Sequence, residues 1–468
     1  MFKLQIKYLS FFFGIVSILS FFNILYSYYF NLYLNLDTYY FTLLASSILF
    51  ITFFKFGKYD IKSNIFQRIL TIFLGYLLIP LVLSIPFYFS IYNLTFSNSF
   101  FEAISGFTST GFTVFENIKL IDQSLIIWRS STQWIGGLYF LFSIIYLIDI
   151  YDDSFKKTLT NFISFNSSEI LKQAAKIFIL YSSLTILIFI VLNIFSIRSF
   201  DSLNLSLTII SSGGFLPVNE LSTIIKENAQ IIIFSLLMLF SFFSLFFSYN
   251  LIFLRKKNVN FFYEDLHLFV YLIIVTTIFF LFFSFNYDFF INLFAIISSM
   301  TNIGFSLSSG QENLNFIFLI LVIIGGSFFS TSSGLRFIKI YSLFKFSLNQ
   351  ILSFSRPKNV FMNKLIFTKI NFNLDEINKY FLTIIIFILS LFILTSLLSL
   401  SGITFVNSFK LAILTLMNTV NSSIYGLKEF DFYNLQLFSK YCLIFFMIVG
   451  RIELLTILLL IKKFLFKN

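Results

Sequence analysis

An all-α polytopic membrane protein is predicted: two N-terminal helices, then four helix–pore loop–helix units in pseudo-fourfold order around one central pore. Three observations predict it. The 468 residues are 58% hydrophobic and 11% charged, with a mean hydropathy of +0.91. Several apolar runs exceed the roughly 18 residues that span a hydrocarbon core. Four short polar turns, 109–113, 211–215, 302–306 and 418–422, each follow about ten residues of apolar half-helix. Basic residues are the third signal, because they crowd into alternate loops.

Each break is aligned on one anchor: Gly111, Gly213, Gly304 and Asn421. Two residues before the anchors stand Ser109, Ser211, Asn302 and Thr419, all short hydrogen-bonding side chains. Irregular backbone survives at membrane depth only where protein or a water-filled cavity satisfies it. A cation path is one such place, because carbonyl oxygens replace the ion's hydration shell. Glycine reaches the backbone angles that turn successive carbonyls toward an axis, and the half-helix C-terminus adds partial negative charge. The candidate cation-binding residues are therefore Ser109, Thr110 and Gly111; Ser211, Ser212 and Gly213; Asn302, Ile303 and Gly304; and Thr419, Val420 and Asn421.

Of 32 Lys and Arg, 24 fall at the N-terminus, in loops 55–68, 156–176, 255–257 and 336–379, and at the C-terminus. Five fall in the opposite loops, and Arg129, Lys440 and Arg451 lie in or at the ends of spans. By the positive-inside rule both termini are cytoplasmic and the polar turns face outside. That distribution explains the net charge of +11 without a nucleic-acid partner and points to membrane lipid instead. One cysteine, Cys442, excludes an internal disulfide. One histidine, His267, beside Glu264 and Asp265, excludes multi-histidine metal sites. No nucleophile–base set marks an enzyme, no cofactor is expected to be covalently bound, and no glycine-rich loop opening a helix after a strand marks a nucleotide site.

In chain order, residues 1–60 form a transmembrane hairpin with spans at about 8–31 and 38–54. Pore unit 1 occupies 61–155, with Pro80 and Pro86 able to kink its outward helix, half-helix 98–108 and a returning helix at about 123–148. Trp128 reads as an interfacial anchor. Arg129 either snorkels outward or braces a turn from behind. Unit 2 occupies 156–258 with half-helix 201–210. Unit 3 occupies 259–346 with half-helix 291–301, and its returning helix is interrupted by Gly325-Gly326-Ser327-Phe328-Phe329-Ser330-Thr331-Ser332-Ser333-Gly334. Small residues at a tight helix interface would explain that run; a mid-membrane loop beneath the turns explains it better. A basic cytoplasmic segment at 347–379 separates it from unit 4, at 380–468, with half-helix 406–417. Arg451 lies near mid-depth, where a charge needs a partner, and the carbonyls or hydroxyls of 325–334 are the favoured one.

Phe101–Val114 (FEAISGFTSTGFTV), Trp128–Gly137 (WRSSTQWIGG), Ile324–Lys339 (IGGSFFSTSSGLRFIK) and Val449–Thr456 (VGRIELLT) resemble, in this order and spacing, the Trk/Ktr/HKT superfamily of potassium transporters. The bacterial TrkH-type potassium uptake subunits resemble the chain most. The resemblance implies that K+ is the transported ion, that residues 1–60 match the extra hairpin of TrkH-type subunits, and that 325–334 is an intramembrane gating loop opposed by Arg451. It further implies a homodimer in a bacterial cell membrane on a cytosolic TrkA-type nucleotide-binding ring. The family has glycine at the fourth anchor, where this alignment places Asn421. A less selective K/Na channel is therefore one alternative reading, and a cation-coupled secondary transporter is the other.

Overall fold

A computed structural model describes residues 7–57, 65–147, 170–252, 263–283, 288–307, 314–354, 374–427 and 430–452. Among these residues the chain is helical, with a single isolated β-bridge between Ile324 and Leu335. Most of the expected cytoplasmic segment 347–379, the loops at 156–169 and 255–257, and everything after Ile452 lie outside the described residues.

Helices α1 (Lys7–Tyr29) and α2 (Leu36–Phe56) form the expected N-terminal pair. α3 (Ile65–Leu83) contains Pro80, breaks at Ser84 and continues as α4 (Ile85–Tyr88). Proline lacks the amide that would close the helical ladder, so the break follows from sequence. α5 (Phe96–Phe107) is the first half-helix and α6 (Gln123–Tyr146) returns the chain. Then come α7 (Ile170–Ile194), half-helix α8 (Ser199–Ile210), α9 (Asn228–Phe242) and α10 (Leu245–Ile252). α11 (Tyr263–Phe283), half-helix α12 (Phe289–Met300), α13 (Asn315–Ile323) and α14 (Phe337–Ser353) make the third set. α15 (Leu374–Leu400), half-helix α16 (Phe405–Leu416) and α17 (Leu437–Ile452) make the last.

All four half-helices are 12 residues long and begin one or two residues before the expected starts. Twelve residues rise about 18 Å, too little to cross a hydrocarbon core. Among the described residues six other stretches are long and apolar enough to cross: α1, α2, α3 with α4, α11, and most of α7 and α15. Two returning paths are broken. The interruption expected at 325–334 extends over 324–336, between α13 and α14. The break at Phe243–Ser244, between α9 and α10, is one the hydropathy pattern does not announce.

One buried apolar cluster runs through the described helices, and α6 with its neighbours forms the part of it behind the first half-helix. Phe12 on α1 meets Tyr139 on α6 edge-on at 4.8 Å, and Tyr139 donates its hydroxyl proton to the Ile72 carbonyl on α3 at 3.0 Å. Gly136 lets α6 lie against the end of α5, since a Cβ there would fall 1.9 Å from the Phe107 carbonyl oxygen. The half-helix end is thereby fixed from behind.

Candidate functional site

At the end of each half-helix the chain reverses through one residue in the left-handed region: Ser109 (φ 58°), Ser212 (φ 55°), Asn302 (φ 60°) and Asn418 (φ 45°). Short polar side chains tolerate that conformation better than branched ones. The amide of the next residue bonds back five positions in three turns: Thr110 to Ser105, Gly213 to Thr208 and Thr419 to Leu414. In the first three turns a hydroxyl clasps the far end. Ser105 Oγ donates to the Phe112 carbonyl at 2.6 Å, Thr208 Oγ1 to Phe215 at 3.2 Å and Ser298 Oγ to Phe305 at 2.9 Å. The matching position in the fourth turn is Leu414, which has no hydroxyl to give.

This backbone register corrects the sequence alignment in two turns. Two residues past each left-handed residue stand Gly111, Gly214, Gly304 and Val420. Gly213 and Asn421, chosen from sequence, are each one place off, in opposite directions. Two adjacent glycines hid the choice in the second turn, and the absence of any glycine hid it in the fourth.

The turns interlock in chain order. Ser212 Oγ donates to the Thr301 carbonyl at 2.7 Å. Asn302 Nδ2 reaches Thr419 Oγ1 at 3.4 Å, and Asn418 Nδ2 donates to Thr110 Oγ1 at 3.0 Å. Arg451 joins the first turn to the second, with Nη2 3.4 Å from Ser109 Oγ and 3.5 Å from the Ser211 carbonyl. Of the twelve sequence-chosen residues in the turns, eleven are buried and Asn421 is half-buried. Asn421 turns its amide away to the Leu427 carbonyl at 3.2 Å. Ile303 is buried among the apolar side chains of the core. A cavity of about 830 Å³ opens on the turns, with Gly111, Gly214, Gly304 and Val420 in its lining.

The 324–336 stretch lies against the opposite side of the turns. Thr331 Oγ1 donates to the Ile210 carbonyl at the end of α8, at 2.7 Å. Ser332 Oγ donates to Asn302 Oδ1 at 2.8 Å, and Arg451 donates to Ser333 Oγ. The break in α9–α10 supplies free carbonyls: Ser327 N bonds to Phe242 and Ser332 N to Ser241, while Leu245 N takes Phe329 O. Phe328 N donates to Glu264 Oε1 at 2.9 Å. Gly325 N bonds to Leu335 O, and Gly326 N to Ser332 Oγ at 3.2 Å. Ser330 Oγ bonds Ser327 O, and Gly334 is left-handed at φ 78°.

Arg336 was the residue sequence reasoning missed. Charge counting assigns it to the basic cytoplasmic loop 336–379, yet it is buried. Its Nη1 lies 3.1 Å from Ser327 O, 3.0 Å from Ser332 O and 3.2 Å from Ser330 Oγ. Of the carbonyls or hydroxyls of the loop expected to hold Arg451, it binds one hydroxyl, that of Ser333, and it also reaches two turns; the loop carbonyls are bound by Arg336. Nor is the loop held by polar contacts alone, because Phe329 stacks on Phe246 at 5.0 Å.

Arg129 does not snorkel. It is buried, with Nε 2.9 Å from Glu102 Oε1 and Nη2 3.0 Å from Thr113 Oγ1. Glu102 Oε2 accepts from Val114 N at 2.9 Å, so the pair braces the first turn from behind. Trp128 is likewise no interfacial anchor. It is fully buried and donates Nε1–H to the Leu83 carbonyl at 3.0 Å, capping the proline-broken end of α3.

No family model matches the chain. Among curated proteins it is similar to an uncharacterized cation transporter of Methanocaldococcus jannaschii, 25% identical over 84% of this chain and 82% of that one. It is 24% identical to the Trk system potassium uptake protein TrkH of Halomonas elongata, over 78% of each chain. The TrkH of Escherichia coli K12 is 24% identical over 86% of each. Among solved structures, the potassium transporter TrkH from Vibrio parahaemolyticus shares the fold over 100% of both chains, with a TM-score of 0.83 at 20% identity. The apolar helices make the chain a multi-pass membrane protein. Along most of its length the chain is thus similar to Trk system potassium uptake proteins, and it shares the fold of a solved TrkH.

Proposed function

We propose that the chain conducts potassium across the membrane, as the channel-like subunit of a Trk-type uptake system. The observation that carries this reading is the cyclic linkage of four matched turns above one buried loop. In this reading the four helix–turn–helix units surround one axial path, with hydroxyls and carbonyls of the turns replacing water around a dehydrated K+. The 324–336 loop closes the path from the other side, and Arg336 and Arg451 hold it closed. K+ then moves down its electrochemical gradient without covalent chemistry.

Both termini face the cytoplasm of a bacterial cell in this proposal, and the cavity of about 830 Å³ is the outer mouth. Two copies pair, and a cytosolic nucleotide-binding ring of the TrkA kind docks on the basic loops and relieves the gate. The less selective K/Na channel is the second reading, favoured by one observation: the fourth turn has Val420 where the others have glycine, and lacks the clasping hydroxyl.

Purified protein in liposomes, with K+, Rb+ and Na+ influx compared, tests the proposal. Flux of K+ and Rb+ above Na+, raised by deleting Ser327–Ser332, is expected. Absence of any cation flux in both wild type and loop deletion would overturn it.

A further inference from the structure

The fourth turn differs from the other three in what it places inside the ring. The links described above make turns 3 and 1 the neighbours of turn 4, leaving turn 2 across from it. Val420 nevertheless reaches that far side: a Cβ on Gly214 would lie 2.3 Å from Val420 Cβ and 2.9 Å from both of its methyl carbons. On the neighbouring side, a Cβ on Gly304 would lie 2.9 Å from Val420 Cγ1. The isopropyl group therefore occupies the room that Gly214 and Gly304 leave open. It lies against Gly214 and Gly304, and Gly111 in turn lies against Gly214.

Backbone conformation agrees. Gly111 (φ 85°) and Gly304 (φ 81°) are left-handed, whereas neither Gly214 nor Val420 is. A β-branched residue resists that region, and Val420 stays outside it, as Gly214 also does, with its side chain against Gly214 and Gly304. An apolar group in a constriction opposes passage in two ways. It removes free width, and it offers no oxygen to an ion that has shed its water.

We propose that Val420 is the residue that limits cation passage through this chain, an apolar plug contributed by one turn of four. The proposal rests on the transport reading above. It assigns the limiting step to a side chain in the ring, independently of the loop beneath it.

The test is a size series at one position, Val420→Gly, Val420→Ala and Val420→Leu, in liposomes, each variant first confirmed as folded by its thermal unfolding transition. K+ influx should fall in the order Gly, Ala, Val, Leu. Val420→Gly should exceed wild type by at least about tenfold, equivalent to about 1.4 kcal/mol of barrier. A residue with a merely structural role would not grade flux by side-chain volume. Val420→Ala keeps the test decisive should the glycine variant be unstable. Equal, measurable flux across the series would overturn the Val420 assignment and leave the transport reading standing. No flux in any of the four proteins, nor in the Ser327–Ser332 deletion, would overturn both.

Discussion

Two buried arginines beneath the turns have different partners, and the difference sets the sign of what each would do when removed. Arg336 Nη1 gathers two carbonyls and a hydroxyl of its own loop within 3.2 Å. Arg451 comes from another helix and spans the loop and two turns, mostly at longer range. Buried acceptors left unpaired cost about 1–3 kcal/mol each, so Arg336→Gln should loosen the loop more than Arg451→Gln. Basal K+ influx should rise in both and be larger in the former; the reverse order would make Arg451 the principal latch. Behind the first turn, Arg129 and Glu102 form a buried ion pair at 2.9 Å. Removing one partner of such a pair leaves an uncompensated charge and costs about 3–5 kcal/mol. Arg129→Ala should therefore lower the unfolding temperature in detergent more than Arg129→Met with Glu102→Gln together. A single variant as stable as wild type would mean water already reaches the carboxylate.

At the scale of elements, the break between α9 and α10 matters as much as the loop it receives. Ser244 opens α10 with its amide and hydroxyl both donated to Asp265 on α11, at 2.8 and 2.7 Å. This holds the carbonyls of Ser241 and Phe242 in place for the loop amides. Asp265→Ala should release the break and raise basal flux, while Asp265→Asn, which keeps an acceptor, should change it less. Flux unchanged in Asp265→Ala would show that α9 and α10 hold their arrangement without it. The contrast with the loop shows what sequence makes legible. Ten residues of Gly, Ser, Thr and Phe inside an apolar run contradict a lipid-facing helix, so 325–334 announces itself. Phe243-Ser244 does not, because one serine among phenylalanines fits a helix as well as a break. The four turns were legible for the same reason as the loop, since polar residues at depth must have partners. Their register was not. Ser211-Ser212-Gly213-Gly214 allows two placements, and only the left-handed Ser212 decides between them. Arg336 was misassigned because a basic residue at the start of a cytoplasmic helix looks solvated until the preceding loop folds back over it.

At the scale of the molecule, the N-terminal pair of helices divides into one that belongs to the core and one that faces outward. α1 presents Phe12, Phe13 and Val16 with no exposed surface, and Phe12 packs between Tyr139 and Phe142 of α6 at 4.8 and 5.2 Å. Tyr8 adds an edge contact with Tyr146 at 4.8 Å. Through Tyr139, whose ring lies 5.3 Å from that of Phe107, and through Gly136 the same α6 supports the end of the first half-helix, so α1 underlies the first turn at one remove. α2 is the opposite case: only 17% of its apolar window is buried, and Leu44, Ile48 and Ile51 are more than half exposed. Apolar exposure on a helix of this length suits a hydrocarbon surround, where a methyl group removed loses little packing. The two helices should therefore respond differently to the same kind of change. Phe12→Ala opens a cavity that α6 cannot fill without shifting Tyr139, and should cost about 3–5 kcal/mol. Ile48→Ala removes lipid-facing carbons and should stay within about 0.5 kcal/mol. Thermal unfolding of the two variants in one detergent measures the contrast. A Phe12→Ala protein that unfolds with wild type would mean that α1 is a separable attachment to the molecule.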